Sequence, residues 1–111
     1  MNHEEHILQC QFVETLRLNG FFVFSIVNEG VKNIKTAILH KKQGLLAGTP
    51  DLCVLCKDKT IFVEMKSEKG KQNENQKLFE KKATQLGHLY YVIRDWQGCM
   101  DFISRFKSFV R

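Results

Sequence analysis

GTPDLCVLCKDKTIFVEMK, residues 48–66, is the stretch from which the fold is read. Pro50 disfavours helix at the residue before it, so the Gly48-Thr49-Pro50 bend delivers Asp51 into an extended segment. The apolar runs on either side of Lys57–Thr60 predict a β-hairpin. Side chains alternate along a strand, which sets Glu64 and Lys66 on one face and Val63 and Met65 on the other. Two opposite charges thus share a strand that otherwise reads as buried.

The hairpin register decides whether Asp51 joins them. A two-residue loop at Asp58-Lys59, or a four-residue loop at Lys57–Thr60, pairs Asp51 with Lys66 and Cys53 with Glu64. A three-residue loop sends Asp51 to the opposite face. The even loop is the expectation, because a buried carboxylate without a partner costs on the order of several kcal/mol.

The chain has 111 residues, the length of one compact domain over 1–111. Its 43% hydrophobic and 26% charged residues are those of a globular protein rather than a disordered one. A net charge of +5 favours a polyanionic partner. No apolar run approaches a membrane span, and MNHEEHILQCQF lacks the features of a signal peptide, so a cytoplasmic protein with no membrane partner is expected. Cys10, Cys53, Cys56 and Cys99 then read as reduced thiols. Cys53 and Cys56 have the spacing of half a zinc site, but no second pair exists and a strand turns the two apart. His3, His6 and Cys10 share a helical face and read as solvated.

Working outward, Glu4–Leu18 predicts a helix with Leu8, Phe12 and Leu16 on one stripe and Asn19-Gly20 as its stop. Glu14 lies off that stripe, either solvated or turned toward an active face. FFVFSIV, residues 21–27, predicts a strand ended by Asn28-Glu29-Gly30. Val31–Gln43 predicts a short basic helix capped by Asn33 and Gly44. Its Lys35, Lys41 and Lys42 lead into the loop before Asp51 and are candidate phosphate contacts, as are Lys69 and Lys71 in the polar loop Ser67–Asn75.

Gln76–Leu86 predicts a second main helix, with Asn73 or Asn75 as its N-cap and Gly87 as its stop. Gln76 sits on its apolar stripe and is expected to reach inward. LYYVI, residues 89–93, predicts a strand with Tyr91 on one face and Tyr90 and Arg94 on the other. Asp95 caps a final helix whose apolar stripe is widened by Phe102 and Phe109, which suggests a dimer contact, with absorption by a small core as the alternative. The order is αβ(α)ββαβα, an α/β fold with a mixed sheet flanked by helices.

Asp51 and Glu64 offer hard oxygen ligands suited to Mg²⁺, with Mn²⁺ expected to substitute and no small-molecule cofactor required. Lys66 is placed to orient a water and stabilise charge on a phosphate. The two carboxylates and one ammonium are close to balanced. A metal and a lysine together suit phosphodiester cleavage, whose transition state gathers negative charge on oxygen. The plain alternative is a cross-strand salt bridge.

Thr49-Pro50-Asp51 followed by Glu64-Met65-Lys66 resembles the PD-(D/E)xK nuclease signature. Gly48, Gln76 and Leu86-Gly87 before a tyrosine-rich strand are similar to its VRR-NUC branch. The resemblance covers nearly the whole chain and implies a restriction-endonuclease-like core. It implies metal binding by Asp51, Glu64 and the Met65 carbonyl, and Lys66 as the catalytic lysine. Glu14 matches the acidic residue of the first helix, and Gln76 the Gln opening the helix after the ExK strand. The name-giving Val-Arg-Arg is matched only as Val92-Ile93-Arg94, with Arg94 a candidate DNA contact. Stand-alone members form homodimers and are associated with cutting branched DNA such as four-way (Holliday) junctions. A small restriction-like nuclease on duplex DNA, or a non-catalytic nucleic-acid-binding or assembly module, are the competing readings.

Overall fold

The computed structural model describes residues 2–27 and 34–111. Expectations for Asn28-Glu29-Gly30, Val31 and the Asn33 cap lie outside the described residues. Helix α1 (His3–Leu18) opens the chain and β1 (Phe22–Ser25) follows. After α2 (Ile34–Lys42) come the hairpin strands β2 (Leu52–Cys56) and β3 (Lys59–Met65). Helix α3 (Glu74–Gln85), β4 (Leu89–Ile93), α4 (Trp96–Phe106) and a 3-10 turn (Lys107–Phe109) complete the order expected. The sheet runs β1-β2-β3-β4, antiparallel except for the parallel pair β3–β4. Helix α3 makes that parallel crossover.

The hairpin loop is even, and it sits one residue earlier than expected. Cys56 pairs with Lys59 and Leu52 with Val63, leaving Lys57-Asp58 as the two-residue turn. Asp58 takes a φ of 59°, a left-handed conformation that Asp tolerates better than most residues. Continuing the register sets Asp51 opposite Glu64 rather than Lys66, and Cys53 opposite Phe62. The shared face survives because the parity is unchanged; only the partner moves.

Alternation sorts the sheet into two different faces. Leu52, Val54, Ile61, Val63 and Met65, all 1% exposed or less, point to one side and meet Phe12 and Leu16 of α1. Phe102 of α4 is the hub of this core, edge-on to Phe12 at 5.3 Å and to Tyr91 at 5.7 Å between centroids. Cys99, Phe102, Ile103 and Phe106 are all buried there. Phe102, Ile103 and Phe106 of the wide stripe therefore fill the protein's own core, the alternative to a dimer contact, while Trp96 and Met100 stay exposed. On the opposite face Phe62 packs against Phe79 of α3, but α3 reaches only β3 and β4 among the strands it packs closely. Over β1 and β2 that face stays open, with Phe22 65%, Phe24 42% and Leu55 43% exposed.

No helix among the described residues is long and apolar enough to cross a membrane. The four cysteines are free, and Cys53 and Cys56 project to opposite faces by strand alternation.

The bend before Asp51 is held by one contact. Gly48 has a φ of +86°, and a Cβ there would lie 2.4 Å from the Asn75 carbonyl carbon at the start of α3. Gly87, at φ +89°, has nothing within 4 Å of such a Cβ. Backbone strain alone predicts a loss of roughly 1–3 kcal/mol for Gly87→Ala, and Gly48→Ala adds a backbone collision to the same strain. Urea denaturation is expected to rank Gly48→Ala as clearly the less stable; equal midpoints would contradict the contact.

Candidate active site

Asp51 and Glu64 meet at the end of the hairpin remote from its turn. Pro50 is fully buried, and the Ile26 N–H donates to the Asp51 carbonyl at 2.8 Å, which ties this segment to the end of β1. Asp51 Oδ2 in turn accepts the Met65 N–H at 2.7 Å, crossing from one hairpin strand to the other. The Met65 side chain is 1% exposed inside the core, so only its backbone faces this site. Lys66 is half-buried at the strand's end, and its N–H continues the parallel ladder to the Ile93 carbonyl at 3.0 Å.

Two helix N-termini close on this strand end, and each does so through a capping box. In α3, Asn73 Oδ1 accepts the Gln76 N–H while Gln76 Oε1 accepts the Asn73 N–H, both at 2.9 Å. The amide nitrogen left over donates to Glu64 Oε2 at 3.1 Å. Gln76 thus reaches inward as expected. In α1, Asn2 and Glu5 form the same reciprocal box, with Glu5 Oε2 accepting the Asn2 N–H at 3.0 Å. The other oxygen, Glu5 Oε1, accepts the Ser67 N–H at 3.0 Å, one residue past Lys66.

Glu5, not Glu14, is the first-helix carboxylate brought to the site. Glu14 is exposed and lines a hollow with Val13, Arg17 and Ser25 between α1 and β1. It is absent from the charges that act on Asp51 and Glu64, whereas Glu5 acts on both. The stripe argument missed Glu5, although Asn2 followed three residues later by Glu5 is a legible capping signal.

Burial governs the electrostatics. Glu64 is 3% exposed, and desolvation, followed by the neighbouring Asp51 carboxylate, pushes its carboxyl up to about 8. Asp51 is raised as well, chiefly by burial, with the Met65 N–H opposing. The Lys66 ammonium pulls both down. Tyr90, across from Phe62 on the same face, is also raised, first by burial and then by Glu64; its hydroxyl accepts from Gln72 Nε2 at 3.2 Å. Reading the hairpin alone puts two carboxylates beside one ammonium. The fold adds Glu5, so the ionised cluster carries an excess of negative charge.

These residues fit a hard divalent cation. Glu64 Oε1 is buried and receives no N–H, while Oε2 is held by Gln76, and the Asp51 carboxyl lies within hydrogen-bond reach of the same side chain. A buried carboxylate oxygen that receives no N–H, beside a second desolvated carboxylate, is costly unless a cation or proton meets it. Among the described residues no three His, Cys, Asp or Glu side chains group as metal ligands. The side-chain donors would therefore be Asp51 and Glu64, a number that Mg²⁺ accepts with backbone and water oxygens completing its shell. His6 Nε2 lies 3.8 Å from Cys10 Sγ, exposed and without a third ligand. The sole ion pair among the described residues is Lys77–Glu74, so Lys66 is not in an ordinary salt bridge there.

The basic candidates divide. Lys35, Lys41 and Lys42 are exposed on α2, which buries none of its residues, and Lys69 and Lys71 are exposed in the loop. Arg94 instead donates to the carbonyls of Ser67 (2.9 Å) and Gly70, clamping the turn that carries Lys69.

The family model for the VRR-NUC domain matches residues 1–95, which include every member of the cluster. The chain belongs to the VRR-NUC family. A solved structure described as a VRR_NUC domain superposes with a TM-score of 0.69 at 21% identity, covering 95% of this chain and 99% of that one. That likeness is one of fold. No curated protein matches. As a VRR-NUC domain, the protein is of nuclease type.

The raised Glu64 carboxyl has a thermodynamic sign. Between its ordinary value of 4.5 and about 8, the folded state keeps a proton that the unfolded chain gives up. Metal-free stability is therefore present below that window and is lost as pH rises through it. The expected fall from about pH 5 to pH 8 is on the order of a few kcal/mol, and Glu64→Gln should flatten it and raise stability at the upper end. Thermal melts in EDTA across that range check this. A divalent cation should reverse the trend, since its ligands bind deprotonated.

Proposed function

We propose that this VRR-NUC domain is a metal-dependent, structure-selective endonuclease that hydrolyses phosphodiester bonds in branched DNA such as four-way junctions, acting as a homodimer. The observation that supports the chemistry is the meeting of Asp51 and Glu64 as desolvated neighbours, with one buried Glu64 oxygen that receives no N–H. Asp51, Glu64 and the Met65 carbonyl would hold Mg²⁺, or Mn²⁺ in its place. When bound, such a cation supplies positive charge against the charge that develops on the phosphate oxygens.

The chain's own groups do the rest. Gln76 fixes Glu64 through its amide, and the Met65 N–H fixes Asp51, so both carboxylates are oriented before any ligand arrives. The Lys66 ammonium acts on both members of this pair and would orient the attacking water and steady the phosphate. Glu5 is a positioning residue: its bond to the Ser67 N–H holds the backbone that carries Lys66. Lys35, Lys41, Lys42, Lys69 and Lys71 would meet the backbone phosphates, with Arg94 shaping the loop rather than reaching DNA.

Association of two copies would supply one such site per strand. Phe22, Phe24 and Leu55, on the open side of β1 and β2, are the apolar surface that favours it.

The test is cleavage of labelled four-way junction and linear duplex with Mg²⁺ or EDTA. Metal-dependent cutting is expected, and its absence on every DNA would leave a binding module. Asp51→Asn and Lys66→Ala should each lower the rate by roughly 100-fold or more, the scale on which preorganised charge contributes. Glu14→Gln should leave it nearly unchanged. DNA affinity should fall with salt by about 0.9 log unit per phosphate contact for each tenfold increase, and a flat response would contradict lysine-to-phosphate binding.

A further inference from the structure

On the face covered by α3, a second hollow of about 510 Å³ adjoins the carboxylates, a volume typical of sites for small ligands. Phe62 and Phe79, edge to face with centroids 5.1 Å apart, line it together with Leu78 and Leu86 of α3 and its C-terminal side. Leu78 is 50% and Leu86 77% exposed, so apolar surface here remains in water. Two lysines also line it, Lys41 from the end of α2 and Lys82 from α3.

The hollow shares its elements with the site, although none of Asp51, Glu64, Lys66 or Gln76 lines it. Its lining includes Ala47 and Asn75, the residues immediately before Gly48 and Gln76. Gly48 presses on Asn75, and Gln76 is the donor to Glu64. Phe62 stands two residues before Glu64 on the same face of β3.

We propose that this hollow receives an unstacked nucleobase from the strand that adjoins the scissile phosphate. The inference rests on the nuclease reading and adds a substrate feature to it, unpaired nucleotides beside the cut. An occupant must present a flat apolar surface to Leu78, Phe79 and Leu86, and negative charge to Lys41 and Lys82. A nucleotide strand with its base turned out offers both, the base to the apolar lining and its phosphates to the lysines. A base within an intact duplex cannot enter, because its faces are already stacked.

The experiment is fluorescence anisotropy in EDTA with two duplexes, one bearing a short thymidine flap and the other the same flap built of abasic sites. Their charges are equal, so only the bases differ. The protein should bind the thymidine flap about tenfold more tightly, the scale of one stacked base. Leu78→Ser/Leu86→Ser, checked for folding by circular dichroism, should bind the two equally, while Met100→Ser on α4 keeps the preference. Equal binding by the unaltered protein, or a preference that survives in the double variant, overturns the proposal. Displacement of the flap by an acidic leucine-rich peptide but not by single-stranded oligothymidine overturns it in favour of a protein partner. Cleavage with Mg²⁺ is read separately: cutting without the base preference removes the subsite alone, and preference without cutting removes the nuclease reading alone.

Discussion

The hydrogen bond from the Met65 N–H to Asp51 Oδ2 is the constraint on which the site depends. It crosses the hairpin beyond its last paired residues and turns one strand's carboxylate onto the other strand's backbone. That fixes Asp51 beside Glu64 and leaves both desolvated, which is why both carboxyls titrate high. A pair of facing acids in a poorly hydrated place is a destabilising element in the free protein. Its persistence requires surroundings that hold it, and those surroundings are the bend at Gly48, the buried Pro50 and the two helix ends.

The two capping boxes solve a structural and a chemical problem with the same residues. A helix start leaves backbone N–H groups without partners, and the Asn-x-x-Glu and Asn-x-x-Gln patterns satisfy them locally. In each box the third residue has polar capacity left over. Glu5 spends it on the Ser67 N–H and Gln76 on Glu64. Both side chains are therefore locked at one end by their own helix and aimed at the strand by the other. Such double anchoring removes the rotamer freedom that would otherwise blur the positions of Glu64 and Lys66.

Much of this was legible in the residues. Alternation and the Gly-Thr-Pro bend place Asp51, Glu64 and Lys66 on one face, and the caps at Asn73 and Asp95 follow from local chemistry. What escaped has identifiable causes. The turn moved to Lys57-Asp58 because Asp58, rather than Lys59, takes the left-handed position, and propensity for the two alternatives is close. Glu14 enters through the resemblance to the family's first-helix acid, and a helical stripe cannot point to Glu5 instead, because it reports which side faces the core and not which end of the helix reaches the sheet's functional edge. Phe102 and Phe109 read as surplus, and the fold supplies Phe12 and Tyr91 as partners of the first and Phe106 as partner of the second.

That last reassignment changes where another copy would bind. A stripe exposed along all of α4 would direct association to the sheet face opposite the carboxylates, whereas the core absorbs Phe102, Ile103 and Phe106 and leaves Trp96 and Met100 exposed. The apolar surface exposed on the sheet itself lies on the same face as Asp51 and Glu64, because Phe22, Phe24 and Leu55 share the parity of Cys53 and Glu64 in the paired register. Helix α3 covers the β3–β4 half of that face and leaves the β1–β2 half open. One sheet face thus carries the acidic pair, the hollow under α3 and the open aromatic surface, while the other is committed to holding the fold together. Large-to-small substitutions on the second face should therefore cost stability before anything else.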